Sequence, residues 1–106
     1  MSDRPRRAEA ARWLTDAPPY VLDCFDLGPQ ELDRFDVLLT AFYQPSRGDW
    51  FVPYLSLNDW GASYWGELDA AEAARYRRAN GRRRVRWLAL PERVRAAVVA
   101  RYAAEA

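Results

Sequence analysis

The chain has 106 residues and contains no histidine, no lysine and no isoleucine, with one cysteine and one methionine. Lacking histidine, it has no access to the commonest general base and metal ligand. Cys24 has no second thiol for an internal disulfide and no imidazole to activate it, so it reads as a small buried hydrophobe. No Gly-rich phosphate loop, HExxH, CxxC or GxSxG pattern is present. No stretch approaches the roughly 20 apolar residues of a membrane span. The N-terminal MSDRPRRAEAARW carries positive charge with no apolar run behind it, which is not a signal peptide. These absences point to a soluble, cytoplasmic, non-enzymatic protein with no cofactor and no metal.

What is present is apolar, aromatic and arginine-rich. Half the residues are hydrophobic, enough for one globular domain of this length. Acids and bases nearly cancel, 15 against 16, and all the basic residues are arginine. A GC-rich genome accounts for much of that bias. Its physical consequence is a set of planar forks suited to carboxylates, phosphates and aromatic faces.

Six of the 15 aromatics (Trp50, Phe51, Tyr54, Trp60, Tyr64 and Trp65) fall between Asp49 and Gly66. Their large apolar area makes this stretch the expected centre of the core. Residues Asp3 to Thr15 suit a short helix with Ala10, Trp13 and Leu14 on its buried stripe, stopped at Pro18-Pro19. Tyr20 to Leu27 fits either a strand or a helical turn gathering Val21, Leu22 and Phe25, and is read as extended. From Pro29, Leu32, Phe35, Leu38, Leu39, Phe42 and Tyr43 recur at helical spacing and predict a helix. Asp49 to Leu57 reads as a strand, with Pro53 marking an edge or a bulge. Asn58 to Gly61 makes a turn, and Ala62 to Trp65 pairs back. Asp69 and Glu72 form a capping-box start for a helix over Ala70 to Asn80, with Gly81 as its stop. Arg83 to Leu90 alternates as a strand. Pro91-Glu92 opens a last helix with Val94, Ala97, Val98 and Tyr102 inward. The expected fold is α+β: one compact domain of three to four helices around a small sheet of two to three short strands, with residues 1–12 as a basic arm.

Charge is segregated along this framework. Asp16, Asp23, Asp26, Glu31, Asp33 and Asp36 lie in one segment with only Arg34 among them, a net of minus five. Their spacing matches no calcium loop, and Asp33 with Asp36 at i, i+3 suits a solvated helix face better than an ion site. Arg75, Arg77, Arg78, Arg82, Arg83, Arg84 and Arg86 then follow with no acid between Glu72 and Glu92. Such a run needs an anion nearby. Either the acidic segment packs on it, or it binds an external polyanion through Arg75, Arg78, Arg82, Arg83, Arg84 and Arg86. In the second case the partner is RNA, DNA or a nucleoprotein, with Tyr76 or Trp87 available to stack a base. The rival expectation is a protein-protein module using Asp23, Asp26, Asp33, Asp36, Trp60, Tyr64 and Trp65. In type, the small size and absent catalytic apparatus resemble phage-encoded inhibitors and immunity proteins, a likeness carried by no motif.

Overall fold

The computed structural model describes residues 16–105. The helix expected over Asp3–Thr15 and the basic arm at residues 1–12 lie outside the described residues. The strands are β1 (Val21–Asp26), β2 (Phe35–Leu39), β3 (Phe42–Gln44), β4 (Asp49–Leu57), β5 (Ser63–Asp69) and β6 (Arg84–Val85). Helix α1 spans Ala70–Ala79 and α2 spans Glu92–Glu105, with short 3₁₀ turns at Gly81–Arg83 and Trp87–Ala89. The class is α+β, but the proportions are reversed from expectation. The described residues hold a six-stranded antiparallel sheet and two helices.

The largest correction falls on the segment after Pro29. The expected helix is instead two strands, β2 and β3. Phe35, Asp36, Val37, Leu38 and Leu39 are all buried, so β2 is covered on both faces. A central strand of that kind is a continuous apolar run, which periodicity alone does not distinguish from a buried helix. Gly28, at φ 102°, makes the tight turn ahead of it.

From β1 to β5 the sheet is a meander of neighbouring hairpins. β4 pairs with β2 and β3 on one side and with β5 on the other. Between the Leu38–Tyr54 and Phe42–Phe51 pairs, residues 39–41 stand opposite Val52 and Pro53. The ladder is therefore bulged where proline has no N–H to donate, inside the sheet rather than at its edge. Helix α1 then carries the chain to the other margin, where β6 pairs with Cys24 and Phe25 of β1. The strand expected over Arg83–Leu90 shrinks to two residues. After Val85 the chain coils into the 3₁₀ turn that buries Trp87.

The helices cover opposite faces. Val94 and Val98 of α2 pack with Trp87 and Leu90 on Cys24, Phe35, Val37, Leu39, Leu55 and Leu57. Ala73 of α1 packs on Phe25, Leu38 and Val52, with Tyr54, Leu68 and Tyr76 around them. A shift in register between Val21 and Asp23 explains why Val21 joins the α2 face with Cys24 instead of alternating with it. Asp69 caps α1 as expected: its carboxylate accepts from the Glu72 N–H, and the Glu72 carboxylate accepts from the Asp69 N–H. Hydrogen bonding from the Glu72 backbone holds the Asp69 carboxyl below its ordinary range.

The aromatic stretch is not the centre of the core. Phe51, Val52, Leu55 and Leu57 are buried, yet Trp50, Trp60 and Tyr64 are exposed. Tryptophan and tyrosine rings of β3 and β4 stand on the strand surface instead, Tyr43 against Trp50 at 5.6 Å between centroids. Among the described residues no helix is long and apolar enough to cross a membrane.

Candidate polyanion interface

The arginine run occupies the second half of α1, the following 3₁₀ turn and β6. The capping box fixes where α1 begins, and Asn80 ends it by donating its N–H to the Tyr76 carbonyl. The run therefore straddles the helix C-terminus, whose partial negative charge favours cations. Within it the arginines divide into two groups.

Arg77 and Arg84 are drawn to Asp23, Arg77 half-buried and Arg84 still exposed. Asp23, on β1, has one carboxylate oxygen 2.6 Å from Arg77 Nε and the other 3.3 Å from Arg84 Nε. Arg84 also sits 5.7 Å from the Phe25 ring centroid, a cation over an aromatic face. The acidic segment thus reaches the basic one through a single carboxylate. Arg75, Arg78, Arg82, Arg83 and Arg86 are exposed. None of these five makes an ion pair among the described residues.

The two proposed stacking rings are otherwise engaged. Trp87 is 5% exposed and belongs to the α2 core. Tyr76 is half-buried, meets Phe25 edge-on at 5.1 Å, and donates its hydroxyl to Asp36. Neither ring presents an open face for a base.

The residues of the rival surface are scattered. Asp26 is gripped bidentately by Arg34 at 2.8 and 2.9 Å, and the Gly28 N–H donates to the same carboxylate. The Arg34 hydrogen bond holds the Asp26 carboxyl below its usual range. Arg34 also lies 3.6 Å from Asp59, tying the β1–β2 loop to the β4–β5 turn. Asp33 is exposed in that loop, and because the segment is not helical it forms no i, i+3 pair with Asp36. Trp65 packs against the α2 core. Trp60 stays 78% exposed, stacked under Arg93 at 4.6 Å, beside a groove lined by Leu32 and Asp59.

Asp36 is the residue whose setting the sequence concealed. It is 8% exposed, on the α1 face of β2. Ser56 Oγ donates to one of its oxygens at 2.7 Å and the Tyr76 hydroxyl donates to the other. Burial first, and then that bond to Asp36, push the Tyr76 phenol above the tyrosine range, so it remains a donor. Leu38, Tyr54 and Leu68 complete a pocket of about 200 Å³ over this carboxylate. Tyr54 reaches its place by lying across Gly66, where a β-carbon would come 2.5 Å from the ring. Among the described residues no group of three histidine, cysteine or carboxylate side chains is placed to hold a metal ion. No family model matches the chain, and no curated protein and no solved structure matches it either.

Proposed function

We propose that this chain is a non-enzymatic, cytoplasmic binding protein whose Arg75–Arg86 corner docks on a polyanion, an RNA, a DNA or a nucleoprotein. The observation that carries the reading is the split within the run. Asp23 neutralises part of it through Arg77 and Arg84, while Arg75, Arg78, Arg82, Arg83 and Arg86 are exposed and make no ion pair among the described residues. Forks of that kind bind phosphate oxygens in pairs. With no open aromatic ring in the corner, the contact is to the backbone of the polyanion and carries little sequence preference.

Salt-titrated binding to a duplex and to a single strand tests it. One phosphate for each of these five exposed arginines gives a log–log slope of roughly −4.5 on duplex or −3.5 on single strand. The triple reversal R82E/R83E/R86E should abolish binding and leave the fold intact. Affinity indifferent to salt and to that reversal would overturn the reading.

A protein-protein module, of an inhibitor or assembly-accessory type, is the second reading. The observation favouring it is that Trp60, 78% exposed, and Leu32, 84% exposed, line one groove between two loops. Solitary exposed apolar residues need no explanation, but an exposed pair on one groove fits a small protein contact. A partner retained after nuclease digestion and lost in Trp60→Ala would favour it over the first.

A further inference from the structure

We infer that the pocket floored by Asp36 and walled by Tyr54, Leu68 and Tyr76 is a binding site for an alkylammonium group, separate from the arginine corner. The first reason is the state of the carboxylate. A buried carboxylate normally has a cationic partner, because two neutral donors leave most of its charge uncompensated. Asp36 has only the hydroxyls of Ser56 and Tyr76, and no cation within ion-pair distance among the described residues. A carboxylate accepts about four hydrogen bonds, so acceptor capacity remains on the side that lines the pocket.

The second reason is the walls. Tyr54 and Tyr76 line the pocket, and Tyr64 adjoins it with its ring 6.4 Å from that of Tyr54. Aromatic rings beside an anion favour ammonium groups through the ring quadrupole, and Tyr76 enters the site by its hydroxyl rather than by an open face. Leu38 and Leu68 supply apolar surface for an alkyl stem. Burial and the neighbouring Tyr64 hydroxyl push the Tyr54 phenol up first, and the further charges that act on it are those of Asp36 and Glu72, both anionic. Arg83 is the cation that acts on Tyr76, from the exposed turn beyond α1, and it forms no ion pair with Asp36. The volume of about 200 Å³ accommodates a short alkylammonium and excludes a nucleotide. Gly66 is part of the construction, since any side chain there would displace the Tyr54 wall.

The full-length protein should be titrated with n-butylammonium and with neutral n-butanol while backbone amide signals are followed. The ammonium should cause saturable shifts at Tyr54, Ser56 and Leu68, with butanol at least about tenfold weaker, a gap of 1.4 kcal/mol or more. Asp36→Asn should abolish the difference between the two probes. Should Asp36→Asn fail to fold, Leu68→Trp, which fills the pocket and leaves the carboxylate in place, should block both. A third probe, lysine capped at both ends as an amide, separates the sources of the group. Tighter binding than butylammonium assigns the site to a lysine side chain of a protein, and equal or weaker binding to a free amine. Equal response to ammonium and alcohol, or ammonium binding unchanged in both variants, would overturn the inference.

Discussion

Asp23 Oδ2 on β1 lies 2.6 Å from Arg77 Nε on α1, and this contact joins the helix to the sheet. The Asp23 side chain is 10% exposed while that of Arg77 is 42% exposed, so the acid is the desolvated partner. Asp23→Ala should cost about 1 to 2 kcal/mol, less than the 3 to 5 of a fully buried pair because Arg77 retains water. The same variant also releases Arg84. Its affinity for a polyanion should therefore rise as its urea midpoint falls. A drop in both would mean that the corner depends on the clamp for its shape.

The two groups of arginine separate under single substitution. Arg82→Ala should leave stability within about 0.5 kcal/mol and weaken polyanion binding. Arg77→Ala should do the reverse, with a lower melting temperature and an affinity close to that of the parent. Paired melting curves and salt-titrated binding on the two variants check the division.

Gly66→Ala should destabilise by about 1 to 3 kcal/mol, the range for overpacking a fitted site. The cause is the Tyr54 ring, 2.5 Å from where the new carbon would sit. The cost should shrink sharply in a Tyr54→Ala background, and a double-mutant cycle measures that coupling. An unchanged cost would place the strain in the β5 backbone instead.

Stability should also fall in mild alkali. Burial first, and then the neighbouring Asp23 charge, push the Cys24 thiol from its ordinary 9.0 up to about 12. Between those values the unfolded chain has lost the thiol proton and the native chain retains it, so rising pH favours unfolding. From about pH 8 to about pH 10 this group alone should remove about 1.4 kcal/mol. Urea melts of the parent and of Cys24→Ala across that interval check it: the variant should lose that much less. Tyr76 and Tyr54, both shifted upward by burial, add to the fall at higher pH in either protein.

Local chemistry was readable wherever a few neighbouring residues decide the outcome. The capping pair Asp69 and Glu72, the bounds of β4 and the inward Val94 and Val98 all follow from spacing and residue type, while Pro53 left an edge and a bulge both open. What failed needed knowledge of the layers. Phe35–Leu39 satisfies a helical stripe and a doubly covered strand equally, and only the presence of a helix on each face selects the strand. Arg83–Leu90 has strand alternation, but β6 finds only Cys24 and Phe25 to pair with before Trp87 turns into the core. The arginine run was legible as charge, whereas its division by Asp23 depends on a contact between residues 54 positions apart in the chain. Nothing near Asp36 in the sequence signals the pocket, since Ser56 and Tyr76 come from two other elements.

The covering of the two faces is unequal in time as well as in space. Synthesis through residue 79 completes one side of the sheet, because α1 follows β5 directly. The opposite side, with Val37, Leu39, Leu55 and Leu57, waits for Trp87, Leu90 and α2. A nascent or truncated polypeptide ending near Gly81 would lack the cover that Trp87, Leu90 and α2 give that oily surface, an invitation to chaperones and to aggregation.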